Sequence, residues 1–270
     1  MEFIAAIILG IVLGISEFLP VSSVGHSLVL SSLLSFPPTQ ALRNTFAVFI
    51  EGGALLAVVL HYSRDLLKQA RQFSTDVTVR QLWLNVVIAF VPVGIVGLIL
   101  HDWVEKVLFS PVVVGISLIG GGLVFLVVER RRQAPRTLQL EDMTLRQALF
   151  VGIAQILALI PGVSRSGATI IGGLLVGLDR QVATVFTFYL FIPTLAAASG
   201  YELFSAARSG TIEPSLLPYF LLAACVGFFV SLVAMRWLLQ YVRNHDFQPF
   251  GVYRIVVGVI VIILALAGRL

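Results

Sequence analysis

Two polar clusters interrupt hydrocarbon-like sequence: Glu17-Phe-Leu-Pro-Val-Ser-Ser-Val-Gly-His26 and Pro161-Gly-Val-Ser-Arg-Ser-Gly-Ala-Thr169. Each breaks at a proline, Pro20 or Pro161, and the residues that follow predict a new half-helix starting at Ser22-Ser23 and at Ser164-Arg165-Ser166. A helix N-terminus presents free N–H groups and the positive end of the backbone dipole, which together make an anion site. Arg165 adds a planar fork suited to bidentate phosphate contact, and Ser22, Ser164, Ser166 and Thr169 add hydroxyl donors. This set predicts a phosphate or diphosphate ligand. Three of these residues carry a plainer reading as well: Ser22 as a helix cap, Thr169 as a hydroxyl bonded back to its own helix, and Arg165 as an ion-pair partner of Glu17.

Binding an anion does not require His26. If the first half-helix starts near Ser23, His26 lies at i+3 on the same face, within reach of the Ser23 hydroxyl or of a bound phosphoryl group. A serine and a histidine beside an anion site predict phosphoryl transfer, with Ser23 attacking and His26 as base; attack by His26 itself or by water is the close variant. Glu17 has three roles open to it: orienting His26, holding a divalent cation against phosphate oxygens, or positioning an attacking water.

The elements that must position these residues are membrane helices. The chain has 270 residues, 58% of them hydrophobic and 12% charged, whereas soluble domains run nearer ~45–50% apolar. An arginine in such a setting costs roughly 2.5–3.5 kcal/mol at a helix centre even on the mildest insertion scale, so Arg165 needs a partner or a task. Six stretches are long enough to cross a ~30 Å hydrocarbon core, at about 45–62, 83–101, 111–128, 182–205, 216–235 and 249–268. Residues 3–19 and 148–160 are too short to span and each ends at a proline, so 3–36 and 148–178 predict re-entrant hairpins. The single cysteine, Cys225, excludes a disulfide framework and a thiol metal site. The first apolar segment carries no basic residue ahead of it, so a cleaved signal peptide is not expected.

The halves resemble each other. Ala6, Gly10-Ile11 and Val21-Ser22 recur 142 residues on as Ala148, Gly152-Ile153 and Val163-Ser164. Loops 63–81 and 129–147, with Arg180, Arg236 and Arg243, hold 12 basic residues on one side, against Arg43, Lys106, Arg208 and Arg269 on the other. The rich side is cytoplasmic by the positive-inside rule, so basicity reports orientation and not a nucleic-acid partner. The arginine run 130–132 predicts an anchor beside anionic lipid, and Arg254, towards a span end, predicts a snorkelling cation. Both termini then face outwards, and Trp83, Trp103 and Trp237 fall at span ends. The predicted fold is an all-α polytopic membrane protein of two inverted-topology repeats, each one re-entrant hairpin plus three transmembrane helices. Repeat one covers residues 1–130, a cytoplasmic loop 131–147, and repeat two 148–270.

On the two clusters, and on the Phe-x-Pro-Phe-x-x-Tyr-Arg run from Phe247 to Arg254, the chain resembles the bacterial undecaprenyl-diphosphatase family of bacitracin-resistance lipid phosphatases. The resemblance extends over essentially the whole chain. It implies an enzyme of the bacterial cytoplasmic (inner) membrane that hydrolyses undecaprenyl diphosphate to the monophosphate, recycling the cell-wall lipid carrier with a divalent cation, Mg or Ca. It implies roles for Glu17, Ser23, His26, Ser164, Arg165 and Thr169, and it admits a homodimer. One position departs from the family pattern: Leu13 stands four residues before Glu17, where the family has Glu or Gln. A second is Glu51, where the family commonly has Gln, and Glu51 is the candidate to supply the carboxylate that Leu13 lacks, as a metal ligand with Glu17. The rival reading is a transporter or flippase of polyprenyl phosphate, since broken helices in inverted repeats also build transporters.

Overall fold

The computed structural model describes residues 1–131, 134–210 and 214–270, and the side chains of all of these except His101, Asp102, Glu105 and Ser209. Arg132 of the predicted arginine anchor lies outside the described residues. The described chain is helical: α1 (Glu2–Phe18), α2 (Ser23–Leu34), α3 (Gln40–His61), α4 (Ser63–Gln72), α5 (Val77–Val107), α6 (Pro111–Arg130), α7 (Leu145–Ile156), α8 (Arg165–Leu175), α9 (Arg180–Ser209), α10 (Leu217–Tyr241) and α11 (Gln248–Leu266). Six of these, α3, α5, α6, α9, α10 and α11, are long and apolar enough to cross a membrane, so the chain is a multi-pass membrane protein.

Helix ends run past the apolar windows because caps, not hydropathy, decide where a helix starts. Thr39 accepts from the Leu42 N–H and begins α3 before the predicted 45; Asp76 accepts from the Thr78 N–H and begins α5 before the predicted 83. Trp83 therefore sits within α5, where its indole donates to Gln69 of α4. Helix α4 itself falls in the predicted basic loop, which is polar but not irregular.

Small residues let the long helices approach closely. A Cβ on Gly258 of α11 would stand 2.8 Å from the Gly115 carbonyl of α6, and one on Gly14 of α1 would stand 2.9 Å from the Gly227 carbonyl of α10. Such contacts hold membrane helices together through packing, because lipid supplies little hydrophobic drive between them. Helix α1 packs on α10, α7 on α5, α3 on both α9 and α10, and α6 on α11. Leu98, Ile99, Phe229 and Val233 face outwards, while the interior holds Phe18, Phe125, Phe186, Phe188, Phe191 and Phe247. A buried carboxylate, Glu129 of α6, accepts from Arg180 at the start of α9 and from the Phe247 N–H at the start of α11, pinning three helices at one end.

Candidate active site

The breaks between α1 and α2 and between α7 and α8 have one backbone. Ser22 lies at φ 75°, ψ 102° and Ser164 at φ 74°, ψ 122°, conformations that β-carbon sterics disfavour. Each serine caps the next helix, Ser22 accepting from the Gly25 N–H at 3.4 Å and Ser164 from the Gly167 N–H at 3.1 Å. The two tips touch: the Ser164 hydroxyl pairs with Ser166, whose own hydroxyl donates to the Leu19 carbonyl at 3.1 Å.

Between the tips lies Arg254 of α11, with no exposed surface. Its guanidinium donates to the Pro20 and Gly162 carbonyls, both at 3.1 Å, and to Ser117 at 3.3 Å. The predicted snorkelling is thus overturned: backbone carbonyls freed by the breaks hold the cation more favourably than a route to water. Its signal in the sequence is an arginine inside an apolar span, which by default marks a functional centre.

Candidate residues from both clusters, with Glu51 of α3, converge beside this clamp. Arg165 at the start of α8 places one guanidinium nitrogen 3.4 Å from Glu17 of α1 and another 3.3 Å from Glu51 of α3. The Ser23 hydroxyl donates to the second Glu17 oxygen at 2.8 Å. Glu17, Ser23 and Glu51 line a cleft of about 670 Å³, part of it open to solvent, whose walls include Leu13, Ser27, Arg43, Ile50 and Phe109. Leu13 and Glu51 thus face the same space.

The other predicted residues are placed differently. Ser22, Ser166 and Thr169 are almost wholly buried; the Thr169 hydroxyl donates back to its own helix and accepts from Thr187 at 2.8 Å. Hydroxyls at a helix start meet the local backbone groups first, so these four serines and threonines, Ser164 among them, build the turns rather than line the cleft. His26 does not bond Ser23. Its Nδ1 lies 2.7 Å from the Ser22 carbonyl, which can only accept, so Nδ1 carries the proton and Nε2 of the neutral ring accepts from the Tyr253 hydroxyl at 2.7 Å. Tyr253, stacked on His26, is a partner the sequence reading did not single out.

The sequence that builds this arrangement matches, over residues 6–260, the family model described as bacitracin resistance protein BacA. The chain belongs to the BacA family. It is 41% identical over 275 residues to the undecaprenyl-diphosphatase of Deinococcus radiodurans, covering 100% of this chain and 98% of that protein. It is 44% identical over 269 residues to undecaprenyl-diphosphatase 1 of Burkholderia lata, covering 98% and 96%. With undecaprenyl-diphosphatase 2 of Rhodospirillum rubrum it shares 44% over 265 residues, covering 98% and 96%. Among the described residues two carboxylates, Glu17 and Glu51, line the cleft, and no group of three or more His, Cys, Asp or Glu is placed to hold a metal.

Proposed function

We propose that this BacA-family protein hydrolyses undecaprenyl diphosphate to undecaprenyl phosphate and inorganic phosphate in the bacterial cytoplasmic membrane, recycling the cell-wall lipid carrier. The observation that carries the reading is the convergence of Glu17, Ser23 and Glu51 on one cleft within an apolar bundle, with Arg165 bridging the two carboxylates behind it. The names of its full-length relatives agree with it.

Ser23 Oγ attacks the terminal phosphorus while its proton passes to Glu17. The bridging P–O bond breaks, and the lipid monophosphate leaves with that electron pair. Water then attacks the phosphorus, the P–Oγ bond breaks, Ser23 Oγ takes back the proton held by Glu17, and inorganic phosphate leaves. His26 serves this second half: Nδ1 stays on the Ser22 carbonyl and Nε2, occupied at rest by Tyr253, takes the proton of the water. Arg165 stabilises charge on the transferred phosphoryl group, together with the N–H groups at the starts of α2 and α8. Ser22, Ser164, Ser166 and Thr169 hold those helix starts in place.

Two carboxylates around one guanidinium leave an excess of negative charge, which by itself repels a diphosphate. A divalent cation, Mg or Ca, fits this donor set, since magnesium in particular is commonly held by one or two carboxylates and completed by substrate phosphates. Glu17 and Glu51 would hold it, Glu51 supplying the carboxylate absent at Leu13. When bound, it neutralises charge on the phosphate oxygens.

The reading includes two inverted repeats with re-entrant hairpins, α1–α2 entering from outside and α7–α8 from the cytoplasm. The pairing of α1 with α10 and of α7 with α5 supports it, since the two pairs exchange under the repeat, as do the matching Ser22 and Ser164 turns. The cleft mouth, at the start of α3 and at Phe109 after α5, then opens outwards.

The test is phosphate release from undecaprenyl diphosphate by the purified protein in detergent, with and without chelator. Chelator-sensitive release is expected, absent in Ser23→Ala, with phosphoserine accumulating at position 23 in His26→Ala by mass spectrometry. Tight lipid-phosphate binding with no release by the wild type would instead indicate a transporter.

A further inference from the structure

The cleft does not end at the reacting residues. From Glu51 it follows one face of α3 through Ile50, Ala47 and Asn44 to Arg43 and Gln40, while α2 contributes Ser23 and Ser27 to the facing wall with Val24 and Leu28. Arg43 and Glu51 are eight residues apart on one helix, so their backbone positions at the mouth and the base of the cleft are about 12 Å apart along the axis. Among the described residues lining the cleft, Arg43 is the only cation. Its Nε donates to the Pro37 carbonyl at 3.0 Å, which orients the rest of the fork, and it forms no ion pair with a carboxylate among the described residues. Beside it, Gln40 Nε2 donates to Asn44 Oδ1 at 2.8 Å, setting two amides at the same mouth.

We infer that Arg43, with Gln40 beside it, forms a second phosphate-binding subsite at the cleft mouth, separate from the position where phosphorus is attacked. The inference rests on the proposed hydrolysis for its purpose. A phosphate group leaving the base along the open path meets the Arg43 guanidinium at the mouth. A diphosphate headgroup arriving from outside meets the same guanidinium first. The shared ligand chemistry is a phosphate group with free oxygens, which a guanidinium binds through paired N–H donors. Ser23 and Ser27 give the intervening wall hydroxyls along which such a group can move.

The experiment uses the full-length protein in detergent with its cation, and compares wild type with Arg43→Lys, Arg43→Gln and Arg43→Glu. Two quantities are read: the inhibition constant of inorganic phosphate and the KM for undecaprenyl diphosphate. In Arg43→Gln at least one of them should rise about tenfold, as loss of one charge-assisted phosphate contact produces. Arg43→Glu should raise it further and Arg43→Lys less, and the effect should shrink as salt is added. A rise confined to the phosphate constant assigns the subsite to the departing product, and a rise confined to KM assigns it to the arriving headgroup. Lys106→Gln, which removes a cation at the same end of the molecule but outside the cleft, should leave both within twofold. Both constants within twofold of wild type in Arg43→Gln and Arg43→Glu would overturn the inference, as would equal changes in Lys106→Gln. Equilibrium binding of radiolabelled inorganic phosphate to the same proteins needs no turnover. It therefore judges the Arg43 subsite even where wild type releases no phosphate and the proposed hydrolysis itself has failed.

Discussion

At the tip between α1 and α2, Ser22 takes a left-handed φ and caps Gly25; at the tip between α7 and α8, Ser164 does the same and caps Gly167. Arg254 reaches Pro20 at the first tip and Gly162 at the second, two positions separated by the same 142 residues that relate the serines. The residues set on these matching frames differ. Ser23 follows the first serine and Arg165 the second; Glu17 precedes the first, and Leu159 stands at the corresponding place before the second. The two tips share one backbone conformation and carry different groups, an acid with a serine at the first and a cation at the second. Each non-glycine turn of this kind costs on the order of 1–3 kcal/mol, which persists only where the surroundings over-determine it. Here a wholly buried guanidinium and the Ser166–Leu19 bond do so.

The division is broken most severely at Arg165. Arg165→Ala removes the cation facing both carboxylates, and phosphate release should fall by at least about 10²–10³-fold, the usual scale for losing a charge-stabilising donor. Full turnover in that variant would show that the second tip carries no chemistry. Arg254→Ala attacks the shared frame instead. It leaves carbonyls of both tips without donors, so thermal unfolding in detergent should report a loss of roughly 3 kcal/mol or more, with activity falling even though no reacting group is touched. The Leu13–Glu51 pairing sharpens what the first tip contributes. Glu51→Gln should weaken cation-dependent release about tenfold, the scale of one lost charged contact; adding Leu13→Glu should restore part of it, and a titration of cation against rate reads both. Unchanged cation dependence in Glu51→Gln would remove Glu51 from the site. The smallest effect is at Ser166→Ala, which deletes the bond between tips and should cost about 1 kcal/mol with turnover nearly retained.

Much of this was legible in the chain itself. The six spans stood out because hydrocarbon length demands long apolar runs, and the two breaks because proline and paired serines have few other uses there. Glu17, Ser23 and Arg165 stand out in the sequence as polar groups within apolar segments. Partnership was harder. The i+3 spacing set His26 against Ser23, yet the acceptor that wins is the Ser22 carbonyl, and Tyr253 lies 227 residues away on α11. Arg254 reads from sequence as a span-end cation, since nothing local reveals that two distant loops deliver their carbonyls to one place. For Thr169 and the capping serines the sequence leaves a helix-start hydroxyl and a ligand donor equally open, and in the fold their hydroxyls engage caps and neighbouring hydroxyls. Helix α4 was hidden because its apolar content is low.

The central claim is that groups from the two tips form one reaction centre, and a double-mutant cycle on Glu17 and Arg165 tests it most directly. With kcat/KM for undecaprenyl diphosphate measured on wild type, Glu17→Gln, Arg165→Gln and the double variant, residues acting as a unit should give a double variant no worse than the poorer single variant. Two losses that simply multiply would contradict a shared centre and leave the tips as independent sites.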